Sequence, residues 1–397
     1  MIFDRGVVNG TKLICIAGKN DIAVDVLAFL RNDYNVVVLC NKTENGKNGY
    51  QKSLRYFATK WKIPEVKIDD LYDVDNLIFI SLEYDCLVDI GKFRKSARFY
   101  NVHFSDLPKY KGQYTSAWCI LNGEKETAVT LHMIDKGIDT GEIIAKERFD
   151  INDMDCREVY LELVKRGKRL ILKNFKNIYE DNVVSYPQPV EQSTFYSIKS
   201  INYSGLKLEI NQTAEMIARQ IRAYSFREYQ LPTFMSKEII DYKITNQRSI
   251  AKAGTVVFEN DQSVILSTVD YNIILYFDKF RELINACSNG NMDSVNKICS
   301  IGRHINVVDE KGWSPLFYAI ENNQKDVVSY LISMGADITL IDFEGWNVLK
   351  NAADVWIQRK DDYLYNLFIM FGISTKQENY NGMTIERYVE IMNGNLG

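Results

Sequence analysis

The stretch KLICIAGKNDIAVDVLAFLRNDYNVVVLC, residues 12–40, reads as strand, helix and strand in succession. An apolar run over 12–18 ends at Gly18, a helical period follows from about 21 to 31, and a second apolar run fills 35–40. Runs that are apolar throughout belong to strands covered on both faces, as in a parallel sheet with crossover helices. The pattern continues outward: NLIFISLEY (76–84) is a third run and RFYNVHFS (98–105) a fourth. Asp155 to Phe175 then carries a helical stripe of Val159, Leu161, Leu163, Leu170, Ile171 and Phe175. Residues 1–178 are therefore expected to form an α/β domain. Ligands of such sheets collect at the carboxyl ends of the strands, which singles out Asn20, Asp21, Glu83, Asn101 and His103.

At 397 residues the chain is long enough for two or three domains. Hydrophobic residues make up 46% and charged residues 25%, which fits a folded globular protein and excludes a disordered or fibrous one. Basic residues number 48 and acidic ones 52, and a net charge of −4 disfavours nucleic acid as the main partner. Seven cysteines, none closer than twelve residues to the next, offer neither a disulfide framework nor metal-ligand spacing, so no metal is expected. The N-terminal stretch is broken by Asp4, Gly6, Gly10 and Lys12 and lacks the apolar segment of a signal peptide. No run reaches the roughly 18 apolar residues of a membrane span. A cytoplasmic protein without a membrane partner is the expectation. An aromatic content of 12%, with 24 tyrosines, suits a surface that stacks on a flat ring.

Beyond residue 178 the character changes. AEMIARQIRAYS (214–225) is helical, and EIIDYKI, GTVVFEN, SVILSTV and NIILYF are short β-like runs. Residues 179–278 are thus expected to be a small β-rich subdomain. The remainder repeats itself: Ala286, Ala319 and Ala352 recur every 33 residues, as do Gly302 with Gly335 and Gly312 with Gly345. DEKGWSPLFYAIENNQKDVVSYLISMGADI (309–338) resembles an ankyrin repeat, with its turn, its S/T-P-L start and its closing Gly-Ala-Asp. The next unit has four extra residues, Gly335 to Gly372 being 37, and reads WNVLKNA in place of WSPLFYA. Residues 279–397 are expected to be an all-α ankyrin stack, a fold whose usual task is to bind protein. Trp313 and Trp346, one period apart, fall at turn tips where exposure is expected. Two exposed indoles would give a flat ligand, such as a second nucleotide sugar, a place to bind.

The chemistry concentrates in YNVHFSDLPKYKG (100–112) and LHMIDKGIDTGEII (131–144). Asn101, His103 and Ser105 alternate, so on a strand end their side chains share a face, and Leu107, Pro108 and Gly112 form the turn that follows. An amide, an imidazole and a carboxylate converge if the second segment folds back beside the first. His132, in the alternating AVTLHMID, reads as a sheet residue, and His304 lies in a repeat loop.

The pattern N-x-H-x-S-x-L-P-x-x-x-G with a downstream D-x-G-x-D-x-G (Asp135, Gly137, Asp139, Gly141) resembles the N10-formyltetrahydrofolate-dependent formyltransferases. IAGKNDIAVDVL (16–27), FISLEYD (79–85) and IRAYSF (221–226) are similar to the branch that formylates nucleotide-linked amino sugars. The resemblance implies a Rossmann-like, mostly parallel sheet, with Asn101, His103 and Asp139 as the catalytic triad. It implies a folate site at Ser81, Glu83, Tyr84, Asp85, Asp135 and Gly137, and sugar contacts from Asn20, Asp21, Ser105 and Lys109. It also implies a homodimer. The reaction suits these residue types: Asn101 offers amide hydrogens to an oxyanion, and His103 accepts the amine proton or, as imidazolium, steadies the oxyanion. Asp139 orients and charge-balances the imidazole.

Family members differ in what bears the amine. A tRNA substrate calls for a basic surface, against the net charge of −4. Glycinamide ribonucleotide enzymes are short, and would leave everything after residue 178 unexplained. A nucleotide sugar fits IRAYSFREYQLP (221–232), where Phe226 and Tyr229 can stack on a base and Arg222 or Arg227 can meet a diphosphate. The expected substrate is a dTDP-amino-dideoxysugar for surface polysaccharide, the 3-amino-3,6-dideoxyglucose derivative ahead of its 4-amino isomer. The rival is a scaffold protein in which the ankyrin stack recruits a partner and the formyltransferase domain is vestigial.

Overall fold

The structure is a computed structural model that describes residues 12–300 and 304–394. Gly302, one of the period markers, lies outside the described residues. The chain divides into two compact units, the first running to Glu209 and adding Glu215–Pro232, the second made of Ile210–Ala214 and everything from Thr233 on. The chain thus passes from one unit to the other three times. This cut differs from the expected three-way division, because the helical segment around 215–224 belongs with the first unit and the β-rich part belongs with the repeats.

The first unit is built on a six-stranded sheet of order β2-β1-β3-β4-β6-β7. Strands β1 (Leu13–Gly18), β2 (Asn35–Cys40), β3 (Leu77–Leu82) and β4 (Arg98–His103) run parallel, while β6 (Glu126–Met133) and β7 (Ile143–Asp150) are antiparallel additions at one edge. Both β1 and β3 are buried at every residue, as two-sided cover requires. The cover comes from helices α1 (Asn20–Leu30), α2 (Leu54–Lys60), α3 (Thr115–Leu121) and α4 (Cys156–Tyr179). Helix α4 starts at a capping box, Asp155 accepting from the Glu158 N–H at 2.9 Å and Glu158 from the Asp155 N–H at 2.8 Å. Of its expected stripe all but Leu161 are fully buried; Leu161 is half-buried. A short parallel pair, β5 (Lys111–Gly112) with β8 (Phe195–Tyr196), and most of α5 (Ala214–Tyr224) complete the unit.

At the crest of the sheet Gly18 sits at φ +147°, and a Cβ there would lie 1.7 Å from the Leu82 carbonyl oxygen. Only glycine lets β1 leave the sheet this close to the end of β3, with the Lys19 N–H donating to that same oxygen at 3.2 Å. This places Lys19 and Asn20 over the carboxyl ends of the strands.

The second unit opens with an antiparallel sheet of order β11-β12-β13-β10-β9, formed by β9 (Thr233–Phe234), β10 (Lys237–Arg248), β11 (Val256–Glu259), β12 (Ser263–Leu266) and β13 (Tyr271–Phe277). Helices follow in pairs: α6 (Phe280–Asn289) with α7 (Met292–Cys299), α8 (Pro315–Glu321) with α9 (Lys325–Ser333), and α10 (Val348–Arg359) with α11 (Tyr363–Met370), before α12 (Ile385–Met392). The turns ahead of α8, α10 and α12 are organised alike. Asp309, Asp342 and Asn379 each use a side-chain oxygen to accept the N–H groups two and four residues on, at 2.8–2.9 Å. The extra residues of the third unit lengthen α10 to 12 residues against 7 in α8, and Asn347 takes the N-cap position, accepting from the Leu349 N–H at 3.0 Å. No helix among the described residues is long and apolar enough to cross a membrane.

The two indoles do not form an exposed pair. Trp346 is 7% exposed and belongs to the repeat core with Leu316, Phe317 and Leu349. Trp313 is half-buried against the same core, its ring stacked at 6.0 Å on Phe317 with the Lys311 ammonium 5.1 Å from its face. The turn tip folds its tryptophan inward because Asp309 and Asp342 draw the chain back over the helices, so the premise of a two-indole ligand surface falls.

Candidate active site

A cavity of about 640 Å³ opens at the carboxyl ends of β1, β3 and β4. Register explains its floor. Asn101 and His103 alternate on β4 and share a face, and in the antiparallel pairing with β6 the residue opposite Asn101 is His132. The loop 134–141 then brings Asp139 over all three. Its Oδ1 lies 3.5 Å from His103 Nδ1 and 3.7 Å from His132 Nε2, and accepts from Asn101 Nδ2 at 3.4 Å. Its Oδ2 accepts the Gly112 N–H at 2.9 Å, so the turn after β4 and the Asp139 loop hold each other.

The loop owes its shape to one acceptor and one close approach. Asp135 Oδ1 accepts from the Gly137 N–H at 3.0 Å and from Thr140 Oγ1 at 2.6 Å. Gly141 passes so near β6 that a Cβ would lie 1.8 Å from the Met133 carbonyl oxygen. The spacing of the D-x-G-x-D-x-G segment is therefore a folding requirement as well as a chemical one.

His103 is 8% exposed, and its Nε2 faces the Tyr110 carbonyl at 2.9 Å. A carbonyl only accepts, so Nε2 carries a proton. His132, 2% exposed, faces the Met133 carbonyl through Nδ1 at 2.7 Å and Asn101 Nδ2 through Nε2 at 3.1 Å. Burial pushes its pKa down to about 4, against the attraction of Asp139, so the ring is neutral near pH 7. A folded-state value below the unfolded value of about 6.5 means that the unfolded chain takes the proton first. Stability from this group is full above pH 6.5 and is lost as pH falls towards 4, by on the order of 3 kcal/mol. Urea midpoints at pH 7 and 4.5 are expected to differ more in the native chain than in His132→Phe; equal shifts would remove the assignment.

Of the expected folate contacts, Ser81, Glu83, Tyr84, Asp85, Asp135 and Gly137 all line the cavity, as does Asn20. Asn20 Nδ2 donates to Glu83 Oε2 at 2.6 Å and lies 2.8 Å from the Tyr160 hydroxyl, which itself donates to Glu83 Oε2 at 3.0 Å. Burial raises the Glu83 pKa, opposed by Lys19 and by these two donors. Phe226 and Tyr229 line the cavity with Tyr50, next to Tyr160: the Tyr50 and Tyr229 hydroxyls are 2.7 Å apart, and the Phe226 ring lies 5.5 Å from that of Tyr160, 5.9 Å from that of Tyr50 and 4.9 Å from that of Tyr229.

Five expected contacts, Asp21, Ser105, Lys109, Arg222 and Arg227, do not line the cavity, and local structure claims the first four. Asp21 Oδ1 accepts the Lys52 N–H at 2.7 Å and braces the segment before α2. Buried Ser105 donates to the Lys109 carbonyl at 2.8 Å, closing the turn after β4. The Lys109 ammonium pairs with Glu124 at 3.0 Å. Arg222 Nη1 donates to the Asn152 carbonyl at 2.6 Å and pins the loop before α4. The cations that do line the cavity are Lys19 and Lys136. Sequence reasoning missed these, and also His132, Tyr50 and Tyr160. Alternation in AVTLHMID put Thr130 and His132 on one face, but which strand lies opposite is set by tertiary pairing.

A family model described as Formyl transferase matches residues 93–173, and one described as Ankyrin repeats (3 copies) matches 283–359. Among curated sequences, the methionyl-tRNA formyltransferase of Clostridium beijerinckii is 26% identical over 273 residues, 64% of this chain and 87% of that protein. That of Thermosipho melanesiensis is 29% identical over 294 residues, 70% and 89% respectively. Among solved structures, WlaRD, a sugar 3N-formyl transferase in the presence of dTDP and 5-N-formyl-THF, is 39% identical with a TM-score of 0.62, covering 67% of this chain and 98% of WlaRD. The N-formyltransferase from Helicobacter canadensis in complex with folinic acid and dTDP-3-aminofucose is 37% identical with a TM-score of 0.62, covering 67% of this chain and 99% of that one. At that identity across nearly the whole of a solved relative, and with the Asn101, His103 and Asp139 cluster on the β4 crest, the chain belongs to the sugar N-formyltransferases, formyl-transferring enzymes, and carries ankyrin repeats after that fold.

Proposed function

We propose that this enzyme moves the formyl group of N10-formyltetrahydrofolate to the 3-amino group of a dTDP-linked 3-amino-3,6-dideoxyhexose, the D-glucose isomer being the one the sequence resemblance favours. The observation that carries this reading is the single cavity, which joins the Asn101, His103 and Asp139 cluster to the aromatic corner of Phe226, Tyr229 and Tyr50. The 3-amino position is supported by the two solved relatives at 37–39% identity, one a sugar 3N-formyl transferase and the other in complex with dTDP-3-aminofucose. Methionyl-tRNA, named by the more distant curated relatives, is disfavoured by the net charge of −4.

The sugar amine attacks the formyl carbon, the tetrahedral adduct forms, and the bond from carbon to N10 of the folate breaks. One amine proton is lost and one proton arrives on N10, so the exchange balances. Asn101 donates to the oxyanion. His103 Nε2 donates to the Tyr110 carbonyl and Nδ1 faces Asp139 Oδ1 at 3.5 Å, and we assign the ring to steadying the oxyanion, with Asp139 as its carboxylate partner and the proton acceptor. Phe226 and Tyr229 hold the base. Phe226→Ala is expected to raise KM for the nucleotide sugar about tenfold with kcat near normal, the loss of one aromatic stack; steady-state kinetics in the sugar checks it.

The deciding assay mixes enzyme, formyl donor and a panel of dTDP-3-amino, dTDP-4-amino and UDP-amino sugars, with methionyl-tRNA beside them, and reads the gain of one formyl group by mass spectrometry. Product from the 3-amino sugars is expected; product from the 4-amino sugar or the tRNA alone would overturn the reading. We place the product in O-antigen assembly, to be checked by loss of N-formyl groups from the polysaccharide when the gene is deleted. We also propose a homodimer through β11, an edge strand exposed at all four residues with Val257 and Phe258 each 52% accessible. Light scattering that returns only the monomer mass would refute it.

A further inference from the structure

Resting on the role of Asn101 given above, we propose that His132 is a positioning residue that decides whether the Asn101 side chain offers a donor or an acceptor to the forming oxyanion. A carboxamide has two nearly isosteric faces, and turning it by half a revolution exchanges two N–H groups for a carbonyl oxygen. Nothing in Asn101 itself prefers one orientation. The choice is made by what surrounds it.

His132 makes that choice through its own tautomer. The Met133 carbonyl, 2.7 Å from Nδ1, can only accept, so the ring proton sits on Nδ1 and Nε2 presents a lone pair. Nε2 is 3.1 Å from Asn101 Nδ2, which donates to it. The second N–H of the same amide points to Asp139 Oδ1 at 3.4 Å, a long contact that yields readily to a better acceptor. In the reverse orientation the amide oxygen would face a lone pair on one side and a carboxylate on the other. One N–H is therefore anchored in the sheet, and the other is held ready on the Asp139 side of the cavity. Cross-strand register makes the arrangement possible, since Asn101 and His132 are direct partners in the β4 and β6 pairing.

The charged or titratable groups that face His132 are His103 on β4 and Asp135 and Asp139 on the loop above. The ring is 2% exposed and neutral, so the lone pair persists throughout the range in which the enzyme is assayed.

Two measurements on the full chain test this. Histidine ¹⁵N spectra of the ligand-free protein need no substrate and are expected to give His132 as the Nδ1–H tautomer, neutral from pH 8 to 6; an Nε2–H tautomer or an imidazolium would overturn the proposal. A double-mutant cycle then uses the sugar that the native enzyme formylates, so a wrong substrate shows itself first as no native turnover. His132→Phe is expected to lower kcat by about 10–100-fold with both KM values within about twofold, but to change kcat less than about threefold in an Asn101→Ala background. His132→Gln keeps an acceptor, recovers part of the loss, and carries the cycle should the Phe variant fold poorly. The same factor in both backgrounds would overturn the proposal.

Discussion

His103→Asn is expected to lower kcat by about 10³–10⁴ while leaving both KM values within a few-fold. Asparagine is small enough for the buried site and its amide can still donate towards the Tyr110 carbonyl, so the turn after β4 survives. What disappears is the imidazole ring that lies between that carbonyl and Asp139. A ring 8% exposed acts through little intervening water, and the field it exerts on a developing oxyanion is correspondingly strong. Steady-state kinetics beside a thermal melt checks the expectation. Turnover within tenfold of native, at unchanged melting temperature, would show that His103 is not part of the chemistry.

Asp139→Asn should be nearly as damaging, at about 10³ in kcat. The substitution is clean at the backbone, because Asp139 has φ 52° and asparagine tolerates that left-handed conformation as well as aspartate does. Its carbonyl oxygen can keep the Gly112 N–H. The lost quantity is one negative charge placed within 4 Å of Asn101, His103 and His132 together. Without it the His103 ring loses its carboxylate partner and the departing amine proton its proposed acceptor. Single-turnover rates with saturating sugar separate this loss from binding, and a drop of less than tenfold would remove Asp139 from the triad.

The sheet and the repeats were legible because both rest on periodicity. Strands buried on two faces have to be apolar throughout, and a solenoid has to repeat its turn chemistry, here the Asp309, Asp342 and Asn379 oxygens. Asn101 and His103 were legible because they alternate on a strand end, and Asp139 because the D-x-G-x-D-x-G segment resembles that of the formyltransferases. What failed did so for one reason: proximity in sequence to a functional residue does not say which way a side chain turns. Asp21 and Ser105 neighbour the cavity along the chain but satisfy backbone groups. Lys109 and Arg222 answer a carboxylate and a carbonyl elsewhere. Trp346 lies at a turn tip that folds inward. His132 went unread for the complementary reason, since its importance comes from the residue across the sheet.

The triple passage of the chain between its two units limits how the gene can be divided. A cut after Glu209 would discard Phe226 and Tyr229 and leave the cavity without a wall, although the strands and the triad would be complete. A cut after Pro232 keeps that wall but strands 210–214, whose Gln212 carbonyl and Ala214 N–H are satisfied by Val269 and Asp270 from the far side of the cut. No single truncation yields two whole pieces. The repeats, which begin two residues after β13, can be deleted without crossing that tangle, but the deletion takes Lys297 from Asp261, 2.7 Å away, and its carbonyl from Gln262 Nε2, 3.2 Å away. Recombination that adds or removes them therefore leaves the rest of the chain continuous and the β11–β12 turn without those partners.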